Sequence, residues 1–513
     1  MHDQSPIGKS IPDITHQSIS KGSIGIERES LRLDGRKISS KNHPKSLGSP
    51  LFNSFITTDF SESQIEMISP PSINDSFLIN TLENIHQYTS ANIGDELLWP
   101  FSIPPSSLTN KDVEIAFYGN SNLARFKSLY RKGLSKRYGK IMQTISGTHF
   151  NYSLPEKFWG EKFLDKKSEK RNRNLVYFRT LRNIRRTNWI ILFLFGCSPV
   201  IGQNLVDKSM KNFNFLNKDD LFLPFATSLR MSDIGYKNAG QINLNISYDG
   251  IDEYVQSLRK ATNTQSEEFS NLINKSGEAV QISGNLLQIE DEYYAACRPK
   301  SNSKKNIRPT SMLRAEGTNY IELRSLDVNP FCKIGIDADA LNFLECFMIY
   351  CTISPSNNLK QSEIRQIEEN DLLVSREGRK PGLQLIKNDC LISLFDWGSE
   401  ILKDMAQIAQ ILDSEDNKYS KSIQKYYSQL KDPEKTISSR LLEDLMLRNI
   451  TLDELGFEIS NKYKDRYVQD DAINTILLDK LKYETNESLV KQKKLESENE
   501  KPFSEFLDEY VES

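Results

Sequence analysis

The chain has 513 residues, enough for two to four domains or for one large enzyme with elaborated loops. Its 66 Lys and Arg stand against 69 Asp and Glu, a formal net charge of −3, so no overall basic field points to nucleic acid or to an anionic membrane. Six cysteines with no CxxC pair and no regular spacing indicate neither a disulfide framework nor a zinc finger, and a reducing cytoplasm suits them.

The N-terminal "MHDQSPIGKSIPDITHQ" lacks the basic and apolar regions of a secretory signal. A strand is expected over 23–33, "SIGIERESLRL", where the period of two puts Glu27 and Glu29 on one face and Arg28 on the other. A second strand, 64–69 ("QIEMIS"), carries Glu66, and Asp59 lies in the turn-like "ITTDFSES" before it. A helix follows over 75–92. The stretch 141–153, "IMQTISGTHFNYS", is read as a strand that sets His149, Asn151 and Ser153 opposite Phe150 and Tyr152. Residues 165–174 ("DKKSEKRNRN") are expected to be an exposed loop, and 175–195 a helix that is arginine-studded early and apolar late. The apolar run "WIILFLFG" (189–196) is far short of the roughly 20 residues that span a bilayer.

Further strands are expected at 241–248, 279–290 and 319–328, with an exposed loop at 301–311. In the last strand, "NYIELRSLDV", Glu322 and Arg324 share a face. From about residue 396 the pattern turns to helix after helix, including 400–416 and 436–449, and ends in a densely charged segment. The irregular mixture of strands and helices predicts an α+β fold around an antiparallel or mixed sheet rather than a doubly wound one. The division expected is a catalytic sheet-plus-helix region over 1–395 and a helical C-terminal region, 396–513, packed on it.

Any one of these acids is ordinary on a strand face, and a lone His is more often a satisfied core residue. Four strands that each bring a carboxylate or a histidine are another matter. Carboxylates crowded at a sheet centre repel one another and resist ionisation unless cations neutralise them. Oxygen ligands with one imidazole and no thiolate favour magnesium, with manganese as the alternative, over zinc. Magnesium in turn suggests phosphates, yet "GLSKRYGK" (133–140) fails as a Walker loop: its glycines are one residue too far apart, and Ile141 stands where Ser or Thr should be. No GxGxxG follows a strand, so a nucleotide would be held by metal, arginines and loops.

The motifs "GIERESLRL", "ITTDFSESQIEMISP", "YGNSNLARFKSLYRKGLSKRYGKIMQTISGTHFNYSLP", "LPFATSLRMSDIGY", "LQIEDEYYAACRPK", "NYIELRSLDVNPF" and "REGRKPGL" resemble, in order, the proteobacterial type of glutamate–cysteine ligase, or γ-glutamylcysteine synthetase. The resemblance implies a glutamine-synthetase-like fold, a curved antiparallel sheet forming an active-site funnel. It also implies ATP-dependent joining of L-cysteine to the γ-carboxylate of L-glutamate through a γ-glutamyl phosphate, the first step of glutathione biosynthesis. By motif match the magnesium ligands would be Glu27, Glu29, Asp59, Glu66, His149 and Glu322, the set that periodicity had already assembled. Arg324 is expected to stabilise the developing charge, with Arg131 second. Arg230 would grip an amino-acid carboxylate; Tyr130, Tyr236 and Tyr294 would line the cysteine pocket, and Gln143, Ile145 and Phe60 complete the substrate contacts. Glutathione is the implied feedback inhibitor, and the implied enzyme is a cytoplasmic monomer. The family's "YAPIRP" reads "YAACRP" here, a departure beside Tyr294. Two alternatives share the same acids: a γ-glutamyl ligase using another amine, and a metal-dependent phosphohydrolase using water.

Overall fold

Alternation of apolar and polar residues makes Ser23–Asp34 the longest strand, β1, and a sheet grows from both of its edges. The computed structural model describes residues 15–159, 166–206, 212–235, 241, 244–272, 279–302, 307–469, 474–498 and 500–512. In chain order the other strands of the main path are β2 (Ile56–Thr58), β3 (Gln64–Ile68), β4 (Thr148–Ser153), β5 (Cys297–Lys300) and β6 (Tyr320–Leu326). Their spatial order is β5-β6-β4-β1-β3-β2, and every neighbouring pair is antiparallel. Two short strands, Lys37–Ile38 and Leu97–Leu98, extend the sheet along the later half of β1.

Helices that frame the sheet and the site include α1 (Asp75–Asn92), α2 (Asn122–Tyr138), α3 (Lys166–Phe195), α4 (Ala338–Ile353), α5 (Leu394–Leu412), α6 (Lys418–Lys431), α7 (Ile437–Arg448), α8 (Leu452–Gln469), α9 (Thr475–Ser497) and α10 (Phe503–Glu512). Asn74 caps α1 by accepting from the Phe77 N–H at 2.9 Å, and Asp337 caps α4 through Ala340 at 2.8 Å. Ile24, Ile26, Phe150, Tyr152, Ile321 and Leu323 point to the back of the sheet, where α3 and α4 cover them. The same core takes in Ile401, Met405 and Ile408 of α5 and Ile423 and Tyr426 of α6. Farther along the sheet, α1 and Leu481 of α9 cover Ile65 and Met67. The C-terminal helices thus bury the apolar faces of elements that precede them by hundreds of residues.

Several sequence expectations are corrected. Residues 165–174 were expected to form a loop, yet α3 begins at Lys166, with Asp165 outside the described residues. Its polar first turns bind carbonyls at the end of the helix Pro309–Glu316: Lys170 donates to Ala315 O at 2.8 Å and Arg173 to Glu316 O at 2.8 Å. The predicted strand 141–153 divides at Gly147 into a 3₁₀ turn, Ile141–Thr144, and β4. Residues 279–290 contain no strand but a loop pinned by its own glutamines, with Gln281 donating to Phe269 O at 2.7 Å and Gln288 accepting from Ile282 N at 3.1 Å. The described part of 241–248 forms no strand either; Gln241 instead accepts from Tyr294 N at 3.0 Å and donates to Glu292 O at 2.8 Å. In 301–311 the helix starts at Pro309.

Candidate active site

Register places the acids. Glu27 pairs across β1 and β4 with His149, Glu29 pairs with Glu66 on β3, and Glu322 on β6 pairs with Asn151. Since i and i+2 share a face, Glu27, Glu29, Glu66, His149, Asn151 and Glu322 form one polar field on the front of a sheet whose back is apolar. Arg28 goes to the back.

His149 sits at the centre. Its Nδ1 is 3.1 Å from Glu27 Oε2 and 3.7 Å from Glu322 Oε1, and its Nε2 is 3.7 Å from Glu29 Oε1. Ligand atoms of Glu27, Glu66 and His149 all lie within 4.8 Å of one another. Asn151 donates to Glu27 Oε1 at 2.9 Å, and the Gly147 N–H donates to Glu29 Oε2 at 2.7 Å. Beside Glu322 stand two cations, Arg324 at 3.0 Å and Lys300 at 3.5 Å.

The electrostatics divide the acids. Burial, together with the Glu27, Asp59, Glu29 and Glu322 carboxylates, holds Glu66 well above its ordinary pKa. Burial likewise raises Glu29. For Glu322 the burial penalty is outweighed by Lys300, Arg324 and His149, which hold it well below the usual range. Glu27 is lowered because the His149 hydrogen bond overcomes burial. A divalent cation would relieve the repulsion in this group. The donor set fits one: His149 Nε2 and Glu322 Oε2 are buried with no hydrogen-bond partner among the described residues, and no thiolate is near.

These residues open on a cavity of ≈ 580 Å³, within the range of small-molecule sites. Phe60, Tyr130, Gln143 and Tyr294 line it, and Tyr294 Oη donates to Gln143 Oε1 at 2.9 Å. Arg131 and Asp59 pair at 3.8 Å at its edge; the Asp59 side chain is 40% exposed and lies outside the tight Glu27–Glu66–His149 group. Ile145 is buried and is not among the lining residues. Tyr236 lies outside the described residues. A side recess shares Tyr294 and Arg324 with the main cavity and adds Arg185, Asn188, Arg230 and Tyr293. Arg230 is fully buried there, 3.7 Å from Asp327 and donating to Arg324 O at 3.0 Å. A Cβ on Gly147 would fall 2.1 Å from its Nη2, so this close approach requires glycine.

The lining also includes residues that sequence reasoning missed. Lys300 follows Arg298 by two in β5, so alternation alone could have marked it. Phe126 and Tyr510 form one wall, with ring centroids 4.4 Å apart. Tyr510 belongs to α10, which Arg308 anchors through Val511 O at 2.8 Å; the α2 residue Asn122 holds the preceding segment through Glu500 and Lys501 O. The spacing of Phe503, Phe506 and Tyr510 is the signal in the sequence.

A family model described as glutamate–cysteine ligase matches residues 11–374. The chain belongs to the glutamate–cysteine ligase family. The glutamate–cysteine ligase of Aliivibrio salmonicida is 39% identical over 499 residues, 95% of each chain. That of Yersinia enterocolitica is 37% identical over 516 residues, 97% of this chain and 99% of its own. A crystal structure of the Francisella tularensis glutamate–cysteine ligase in complex with AMP matches with a TM-score of 0.90 at 31% identity, covering 97% of this chain and 99% of that one. A bifunctional glutathione synthetase from Pasteurella multocida matches with a TM-score of 0.70 at 24% identity, a likeness of fold. The ligase class and the α+β fold with a helical C-terminal region, expected from the motifs, agree with this membership. No helix among the described residues is long and apolar enough to cross a membrane.

Proposed function

We propose that the chain joins the amine of L-cysteine to the γ-carboxylate of L-glutamate in the cytoplasm, with cleavage of ATP to ADP and phosphate through a γ-glutamyl phosphate whose phosphate leaves as the amine attacks. The observation that carries this reading is four carboxylates gathered around His149, with Arg324 and Lys300 against one of them. Such a field suits transfer of a phosphoryl group between anions, which must be screened and aligned before they react.

Glu27, Glu29, Glu66, His149 and Glu322 would hold magnesium, with Asp59 at the edge. When bound, that ion screens the phosphates and the glutamate carboxylate from each other. The side chains supply the rest. Arg230, rigid in its recess, suits the α-carboxylate of glutamate, because its planar fork matches two oxygens. Arg324 faces both recess and cavity, so its charge lies beside both the acyl group and the phosphoryl group as negative charge develops. Tyr130, Tyr294, Phe60 and Gln143 form a small, partly apolar slot with hydroxyl and amide ends, suited to a thiol-bearing amino acid. The Phe126–Tyr510 pair offers flat aromatic faces for adenine, consistent with the AMP-bound relative.

ADP release is measured with ATP, magnesium and glutamate, adding in turn cysteine, 2-aminobutyrate, ammonia or no amine. Strong dependence on cysteine, with 2-aminobutyrate weaker and ammonia inert, supports the ligase and its acceptor. Equal release without an amine makes water the acceptor and overturns the proposal.

A further inference from the structure

The arginine between the two glutamates faces away from this chemistry. Arg28 is 3% exposed on the back of β1. Its Nη2 donates to Trp99 O at 3.1 Å, while Nε and Nη1 are buried with no hydrogen-bond partner among the described residues. Gly335, at φ +82°, carries a turn over the side chain so closely that a Cβ there would lie 3.3 Å from Nε.

Beside Arg28 is a small cavity, also lined by Lys333, Lys464, Tyr463, Tyr467 and Ser460. Three of these side chains are cationic. Burial pulls the Arg28 guanidinium down to about 10, so it stays protonated at neutral pH. No carboxylate lines the cavity among the described residues; Glu83 reaches Lys333 at 3.3 Å from outside it. The tyrosine hydroxyls are already committed, Tyr463 donating to Pro330 O and Tyr467 to Lys333 O, each at 2.7 Å. Burial pushes both phenols up, Tyr463 to about 12 and Tyr467 further, and they stay neutral. Nearby His86, forced well down by burial and by Arg28, is neutral as well. A water molecule would satisfy the spare N–H groups but would leave the charge uncompensated, and a buried cation without a counter-charge is strongly unfavourable.

We propose that this cavity binds one small inorganic anion of halide size, held by the free N–H groups of Arg28 with the charges of Lys333 and of Lys464, whose ammonium also donates to Gly94 O at 2.6 Å and Glu96 O at 3.2 Å. The ion would tie the back of β1 to α8 and to the turn over Arg28. Its role would be structural, behind the strand that presents Glu27 and Glu29.

The full chain is crystallised from gluconate, which is too large for the cavity, and soaked in sodium bromide. An anomalous bromine peak in contact with Arg28 Nη1 is expected. Density there without anomalous signal means water and overturns the proposal. In solution, bromide should raise the melting temperature above that in gluconate of equal ionic strength, and Arg28→Met should abolish the difference. An equal salt response in a folded Arg28→Met protein also overturns it; should that variant fail to fold, the diffraction result on the native chain decides alone.

Discussion

Replacing Glu345 by glutamine should stabilise the protein at alkaline pH and do little at acid pH. Glu345 is fully buried on α4, where Tyr419 Oη donates to its Oε2 at 2.8 Å. Burial raises its pKa from the ordinary 4.5 to about 7. The folded state therefore holds this proton more tightly than the unfolded chain does. The resulting stability is complete below the unfolded value and is lost as pH rises through about 7. A gap of roughly 2.5 pH units at about 1.36 kcal/mol each makes the loss about 3 kcal/mol. The glutamine amide has the donor and acceptor of the protonated acid without the charge. Urea unfolding at pH 8 should then show Glu345→Gln about 2 to 3 kcal/mol more stable than the parent, with the difference below about 1 kcal/mol at pH 5. The same offset at both pH values, or a loss at pH 8, would refute the reasoning, because a packing effect carries no pH dependence.

The remaining predictions concern catalysis. Glu27→Gln should lower ADP release about a hundredfold or more with an unchanged melting temperature, and retained activity would sink the metal-ligand role. Chelation with EDTA should abolish turnover, which magnesium or manganese restores; activity that survives exhaustive chelation would contradict the donor set. Arg230→Lys should raise the KM for glutamate about tenfold or more, as one charge-assisted hydrogen bond of a pair is lost. An unchanged glutamate KM would remove Arg230 from the substrate. Tyr510→Ala should raise the KM for ATP about tenfold, the scale of one lost aromatic stack, and leave that for glutamate within about twofold. An equal rise in both would make the residue a scaffold.

The acid face was legible because a period of two leaves a strong trace when charged residues occupy every second place in otherwise apolar strands. Glu27 and Glu29, then Glu322 and Arg324, each announce a shared face, and the structure brings them together through His149. What failed were segments whose conformation is set by distant partners. The first turns of α3 look like a solvated loop because their lysine and arginine chains reach carbonyls some 140 residues away in sequence. The run 279–290 alternates like a strand, yet Ser283 and Gly284 and the side chains of Gln281 and Gln288 make it a pinned loop. Lys300 and Tyr510 leave only faint traces, one place in an alternating strand and one step in a helical spacing, and nothing local tells that such a position walls a cavity rather than faces solvent.

The wall built by α10 also bears on biosynthesis. Tyr510 joins a cavity whose floor, β1, is translated nearly 500 residues before it. A nascent chain can pair its strands and gather its acids while residues 500–512 are still inside the exit tunnel, but the wall that Tyr510 shares with Phe126 is then missing. If the pair stacks adenine as proposed, competence to consume ATP arrives with the emergence of α10 rather than with folding of the sheet, and a protease that trims only this segment would switch ATP use off while the strands stay paired.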